Sequence, residues 1–303
     1  MDATTFDALF ASVSNWGRWG DDDQRGTLNH LTPSAVMAAA SLVRVGRTIS
    51  LAHDLDTVAG PDNGRPALHY MTRLGDVGVE EPRVNTDFVG MDFHGKSVTH
   101  VDALCHCNFR GRLYNDADPA SNIDSTGGSV GAIDQMAGGV VGRGVLVDVP
   151  RHRGVPWLEP GEAISPEELA AVLAAQGVVP AEGDIFLVRT GHRRRREELG
   201  PWDPTNSSAG LQPESMAWLR RNGAAMLGSD GDSDSRPSQV DGVASPIHAL
   251  ALAAMGLPLI DNACLEEIAD ACAAHGRWEF LFCLAPLRIP GGTGSPVNPL
   301  AVL

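Results

Sequence analysis

From residue 140 onward the chain alternates short apolar runs with longer segments that carry helix punctuation. The apolar runs are VLVDV at 145–149, IFLVRT at 185–190, AAMLGSD at 224–230, PLID at 258–261 and WEFLFCLAPL at 278–287. Each is short and rich in β formers, so each predicts a strand. Between them, Ser165-Pro166-Glu167-Glu168 opens a helix that Gly177 closes. Ser165 is placed to cap the free N–H groups and Glu168 to complete a capping box. Pro213 opens ESMAWLRRN, closed by Gly223. Ser245-Pro246 opens IHALALAAM, closed by Gly256, and residues 265–274 form a helix ended by Gly276. Helix alternating with strand predicts an α/β layer structure. Upstream, Thr32-Pro33 opens AVMAAASLVRV and Gly46 closes it. The rest of the first half differs. Residues 56–90 and 108–140 are rich in Gly, Pro, Asp and Asn, and such irregular stretches in a compact domain usually carry function.

The chain has 303 residues, ample for a buried core. No internal repeat or low-complexity linker divides it, so residues 1–303 read as one domain. Residues 1–45 form an N-terminal arm and helix, a candidate contact with a neighbouring subunit. Hydrophobic residues make up 43%, which excludes a disordered chain. The net charge of −15 argues against nucleic acid or an anionic membrane as partner. No apolar run nears the roughly 20 residues of a membrane helix. The first residues show no basic and apolar signal pattern, so the expected setting is soluble and cytoplasmic. Five cysteines, an odd number with no C-x-x-C, predict free thiols in a reducing compartment. The basic run at Arg193–Arg196 is followed by Glu197 and Glu198 and reads as a solvated face.

One segment changes the picture. HGKSVTHVDALCH, residues 94–106, gathers three of the ten histidines and an aspartate. His100 and Asp102 are two apart, so on a strand both face one side. If residues 94–102 form one strand, His94 shares that face. Neutral imidazole and carboxylate suit Zn²⁺, Mn²⁺ or Fe²⁺, and three protein ligands with an open position are the usual layout of a catalytic metal site.

THVDALCH resembles the signature H-x-G-T-H-x-D-x-P-x-H of the cyclase-like metal-dependent hydrolases. That family includes bacterial kynurenine formamidases and isatin hydrolases. His100, Asp102 and His106 fall on the signature's second histidine, aspartate and last histidine. NWGRWGDDDQRGTLNHLTP at the start, and PIHALALAAMGLPLIDNACLEEIA with APLRIPGGTGSPVNPLAVL at the end, look like further family blocks. The sequence departs at three places. Lys96 stands at the first histidine, Leu104 at the proline, and Val98-Thr99 at the Gly-Thr pair. His94 is the nearest substitute for the first ligand. The resemblance implies a swivelling β/β/α-type fold with a barrel-like central sheet, a divalent Zn or Mn, and a homodimer or homotetramer. It makes His94, His100 and Asp102 the metal ligands.

His248 and Asp261 look like the family's distal histidine and acidic residue. The sequence gives its own reason to notice His248: with Ser245 as N-cap and Pro246 first in the helix, it takes the third helical position. The positive helix end predicts a neutral imidazole there. Asp261 closes the strand PLID, where α/β proteins commonly place site residues. His106, His248 and Asp261 are therefore the candidate catalytic residues. The implied chemistry is hydrolysis of a C–N bond in an amide, formamide, cyclic imide or lactam, or of a lactone C–O bond. The implied substrate is small and cyclic or aromatic. A non-catalytic binding protein of the same fold is the alternative, because of Lys96; a lyase is a third, separable by solvent ¹⁸O. Trp16 and Trp19 either line a pocket or anchor the arm. Phe88, Phe93, Phe109 and Tyr114 are candidates for an apolar wall. GGTGSPVNP at 291–299 is not read as a phosphate loop, since prolines interrupt it. SDGDSDSRP at 229–237 lacks EF-hand spacing and reads as a turn. Cys105 and His106, if adjacent on a strand, point apart and cannot pair as nucleophile and base.

Overall fold

The apolar runs of the second half become the middle of one curled nine-stranded sheet. The computed structural model describes residues 1–76, 78 and 81–303; residues 77, 79 and 80 of the irregular 56–90 stretch lie outside the described residues. In chain order the strands of three or more residues are β1 (Thr48–Ser50), β2 (Leu68–Arg73), β3 (Thr86–Gly90), β4 (His100–Asp102), β5 (Val140–Asp148) and β6 (Ile185–Arg189). Then come β7 (Met226–Ser229), β8 (Leu259–Asp261), β9 (Glu279–Leu284), β10 (Gly294–Pro296) and β11 (Leu300–Val302). The sheet order is β1-β11-β9-β5-β6-β7-β8-β4-β10, with β2 and β3 apart as a hairpin. Strands β5 to β8 run parallel, and antiparallel strands flank them on both sides.

Why the central strands read as unbroken apolar runs is plain from their packing. Val145, Val147, Phe186, Val188 and Leu227 enter one core cluster. Their neighbours Leu146, Ile185, Leu187 and Met226 enter the other. Successive side chains point to opposite faces, and both faces are covered. The helices include α1 (Ala3–Val13), α2 (Pro33–Ala40), α3 (Pro166–Gln176), α4 (His192–Leu199), α5 (Ser215–Arg221) and α6 (Glu266–His275); all of these but α4 bury side chains. Ser165 caps α3 through the Glu168 N–H, as predicted. The capping box is not completed, because the Glu168 carboxylate forks onto Arg153 at 2.6 and 2.8 Å. Helix α2 stops six residues before Gly46. The N–H groups of Val45 and Gly46 instead bond the terminal carbonyl of Leu303.

IHALALAAM is helical in an unexpected way. Residues Pro246–His248 are α-helical, and Ala249–Met255 form a fully buried π-helix. Its last carbonyls would be orphaned inside the protein. The N-terminal arm satisfies them. Asn15 N donates to Ala254 O, Asn15 Nδ2 to Met255 O, Trp16 Nε1 to Ala253 O at 2.7 Å, and Thr27 N to Gly256 O. Trp16 is therefore an anchor on its own chain, and Trp19 packs edge-on against His30 beneath Arg18. Among the described residues no helix is long and apolar enough to cross a membrane.

Candidate metal centre

Strands β4 and β8 carry the site. Val101 is completely buried in the core, which turns His100 and Asp102 to the opposite face. In the antiparallel register Asp261 lies opposite His100, so it joins that face. The expected strand over residues 94–102 exists only from His100 to Asp102; residues 94–98 form bends. Side chains of distant segments hold the bends. Asn262 Nδ2 donates to the carbonyls of Gly95 and Val98, and Thr99 Oγ1 donates to Asn262 O. His94 reaches the site from this loop and not by strand alternation. His106 arrives from a 3-10 turn at Leu104–His106. Cys105 on the same turn is buried toward Gly128 and Gly292, so it and His106 diverge, though they do not lie on a strand.

All six predicted site residues converge. His94 Nδ1 is 3.0 Å from Asp102 Oδ1, and His100 Nε2 is 3.5 Å from the same oxygen. On Oδ2 of Asp102 stand His106 Nε2 at 3.9 Å and His248 Nε2 at 3.5 Å. His248 Nε2 is also 3.4 Å from Asp261 Oδ2. The rings of His94 and His106 stack, with centroids 3.9 Å apart. Asp102 is 1% exposed and Asp261 4%.

Crowding without bonding is the telling feature. Both oxygens of Asp102, Nδ1 of His94 and Oδ1 of Asp261 are buried without a hydrogen bond of acceptable geometry. An unpaired buried polar atom costs about 1–3 kcal/mol, and four in one spot need a common partner. Two donor sets have their atoms within 4.8 Å of one another: His94, Asp102 and His106, and His100, Asp102 and Asp261. Imidazole and carboxylate donors at this spacing fit a divalent metal.

The far nitrogens strengthen this reading. His94 Nε2 meets Thr293 Oγ1 at 3.0 Å, His100 Nδ1 meets Val98 O at 2.8 Å, and His248 Nδ1 meets Asp234 Oδ2 at 2.6 Å. Each partner holds the ring so that its other nitrogen faces the cluster, as around metal-bound histidines. His106 has no such partner among the described residues, and its side chain is 29% exposed. Burial pushes its pKa down to about 4, with His94 and His248 adding to the effect and Asp102 opposing it. Burial would raise the Asp102 carboxyl, but the surrounding imidazoles, His248 and His94 foremost, hold it well below the usual carboxylate range.

His248 departs from its predicted neutrality. Burial disfavours its charge, yet Asp102, Asp234 and Asp261 together outweigh burial and raise its pKa well above the imidazole range. Nor does Ser245 cap the turn; the Ile247 N–H goes to Asp234.

The Cyclase family model matches residues 24–233, well over half the chain. The chain belongs to the Cyclase family. A crystal structure of a novel cyclase is 34% identical, covering 96% of this chain and 100% of that one, with TM-score 0.87. Isatin hydrolase A from Labrenzia aggregata, bound to benzyl benzoate, is 22% identical over 90% of this chain and 98% of that one, with TM-score 0.60. A protein from Bacillus stearothermophilus described as a predicted metal-dependent hydrolase is 15% identical over 84% and 97%, with TM-score 0.51. The last two likenesses are of fold. No curated protein matches the chain.

Within this Cyclase-family fold, Lys96 is not a donor of the cluster. Its ammonium is paired with Asp232, which also receives Arg236. His94 takes the place beside Asp102. The candidate apolar wall shrinks to Phe93, whose ring lies 4.5 Å from that of His94. Phe109 packs on Phe6 and Phe10, Tyr114 binds Asp23, and Phe88 sits exposed on the hairpin. SDGDSDSRP is no simple turn: Asp230, Asp232 and Asp234 are all buried. Asp234 and Thr293 are not among the candidates that the sequence offers. Their signals lay in segments set aside, one as a turn and one as a failed phosphate loop.

Proposed function

We propose that this chain is a metal-dependent hydrolase of a small cyclic or aromatic substrate, cleaving an amide, formamide, cyclic imide or lactam C–N bond or a lactone C–O bond. The observation that carries the reading is the set of unpaired buried donor atoms on Asp102, His94 and Asp261. Their companion rings are locked from behind. His94, His100 and Asp102, drawn from the two donor sets, would hold the ion, and the orphaned Oδ1 of Asp261 makes it a further donor. A bound Zn²⁺ or Mn²⁺ supplies Lewis acidity toward the substrate carbonyl and lowers the pKa of water. His106 is left to move protons. Its Nε2 faces Asp102, and its ring is unanchored and reaches solvent. It takes a proton from the attacking water and returns one to the leaving nitrogen or oxygen. His248, beside Asp102 and Asp261, is the second proton-handling or ligating group. The products are a carboxylate and a freed amine or hydroxyl; a cyclic substrate opens.

Access fits a small molecule. His94 also lines a cleft of about 350 Å³, bounded by Lys96, Arg65 and Asp92 among others. Its two cations are both paired, Lys96 with Asp232 and Arg65 with Asp92, so the cleft is polar but balanced in charge.

We further place the protein as a homo-oligomer in a reducing compartment, in line with its five unpaired thiols. The β2–β3 hairpin supports self-association. Leu68, Tyr70, Met71, Phe88 and Val89 are all at least 42% exposed and lie on both of its faces. A lone hairpin is marginal in water, so a covering surface is required. Arg73 and Asp87 on the same hairpin give it charges of both signs, which suit a two-fold contact with a second copy. The exposed area of 13216 Å² exceeds the roughly 12,200 Å² expected for a monomer of this mass by about one partner's share of a standard interface.

The test is turnover of a panel of formamides, cyclic imides and lactones in ¹⁸O-water by zinc- or manganese-loaded protein. One ¹⁸O in the product carboxylate is expected. A product without the label would make the enzyme a lyase, and metal-loaded protein inert toward every class would remove the hydrolase reading.

A further inference from the structure

The loop at residues 229–237 takes no part in the proposed reaction, yet it stands directly behind His248. Three aspartates alternate along it, and each has its own task. Asp230 accepts the N–H groups of Thr190, Gly191 and His192. Asp232 takes the two nearby cations, Lys96 and Arg236. Asp234, wholly buried, is thereby left without a lysine or arginine on either oxygen. Its Oδ1 accepts the Ile247 N–H at 2.7 Å and its Oδ2 stands 2.6 Å from Nδ1 of His248.

We propose that Asp234 is a positioning residue for His248: one carboxylate fixes both the first turn of the helix that carries the ring and the ring's tautomer, so that Nε2 is the nitrogen that gives up its proton when the ring becomes neutral and faces Asp102 and Asp261. This rests on the metal-hydrolase reading and names the group that readies its distal histidine. A carboxylate has no proton to donate, so a neutral ring bonded to it carries its hydrogen on Nδ1. Nε2, 3.5 and 3.4 Å from Asp102 and Asp261, is then the nitrogen whose lone pair is turned to the donor cluster once the ring is neutral.

The backbone around Asp234 is fastened to keep it there. Leu211 N donates to Ser233 O at 2.8 Å, and Ser208 Oγ donates to the Asp234 carbonyl at 3.0 Å. Ser233 itself adopts φ +62°, an uncommon conformation for a residue with a side chain, and Ser229 Oγ accepts its N–H. Gly210 presses so close that a Cβ there would lie 2.4 Å from the Asp234 backbone. The expected cap, Ser245, is turned away and receives Arg236 instead.

Asp234→Asn keeps the shape and the bond from Ile247, but offers an N–H to Nδ1 and so drives the ring proton to Nε2. The experiment is ¹⁵N NMR of the histidine rings in metal-free wild type and variant, titrated to a pH where the rings are neutral. Zinc affinity and steady-state kinetics are measured alongside. The Nδ1–H tautomer of His248 is expected in the wild type and the Nε2–H tautomer in the variant. Zinc affinity or kcat should fall by about 10–100-fold or more, with KM little changed. An Nε2–H tautomer in the wild type overturns the proposal, even should the variant fail to fold. A variant with unchanged tautomer, zinc affinity and kcat overturns it too. The hydrolase reading is decided separately, by whether the wild type binds metal and turns over: a correct tautomer in a protein that binds none would leave Asp234 assigned and the reaction wrong.

Discussion

Gly294 is the tightest point of the site, and Gly294→Ala tests the placement of His94. Strand β10 pairs with β4 so that Gly294 lies opposite Asp102. A Cβ at this position would stand 2.5 Å from the carbonyl oxygen of Val101 and 2.9 Å from Cε1 of His94. Van der Waals contact begins near 3.4 Å, so about 0.9 Å must be found against the backbone and about 0.5 Å against the ring. Val101 cannot give way, because β8 and β10 pair with it from both sides. Overpacking of this kind costs about 1–3 kcal/mol, offset by about 0.4–1 kcal/mol from the stiffer unfolded chain. The expected net loss is about 1–2 kcal/mol. His94 is pushed off its bond to Thr293, and zinc affinity should drop by about 10–100-fold. Urea denaturation and a zinc competition titration read the two effects. Gly138→Ala, where a Cβ meets nothing within 4 Å, is the control. If Gly294→Ala matches that control in both assays, His94 is not a ligand held by close packing against β10.

The other expectations are briefer. His100→Ala and Asp102→Ala should lose metal and activity together, whereas His106→Ala should keep the metal and lose at least about 100-fold in kcat; elemental analysis of His106→Ala showing an empty site would make His106 a ligand instead. Tyr70→Glu with Phe88→Glu should shift the protein to monomer in sedimentation or light scattering, and an unchanged oligomer would acquit the hairpin. Asp184 is held by burial at a pKa of about 6, above its ordinary 3.8. A raised acid favours the folded state below about pH 3.8 and withdraws that stability as pH rises through about 6, by about 3 kcal/mol at full effect. Asp184→Asn should therefore flatten the fall in stability between pH 4 and pH 7, and parallel curves for variant and wild type would rule the linkage out.

Local pattern made much of this fold legible. Strands β5 to β9 announce themselves because they are apolar on both faces, and α3 and α6 because Ser165, Gly177 and Gly276 are local punctuation. The convergence of His94, His100, Asp102, His106, His248 and Asp261 was also readable, through spacing and family likeness. What escaped was set by contacts between distant residues. The bends at 94–98 are imposed by Asn262, more than 160 residues on. Beyond helix α2, Val45 and Gly46 give their N–H groups to Leu303, more than 250 residues on. Lys96 stood at the signature's first histidine without a visible partner, because Asp232 is 136 residues away. His248 looked neutral because the helix end is visible in sequence, while the three carboxylates that gather around it are not.

The most direct test of the central claim is elemental analysis of untagged protein, wild type beside His100→Ala, after exposure to zinc or manganese and removal of free ion. At least one tightly held divalent ion per wild-type chain, lost in the variant, is the result that the unpaired donors of His94, Asp102 and Asp261 require. Wild-type protein that retains none, or a variant that retains as much as wild type, would contradict the metal centre and the reaction built on it.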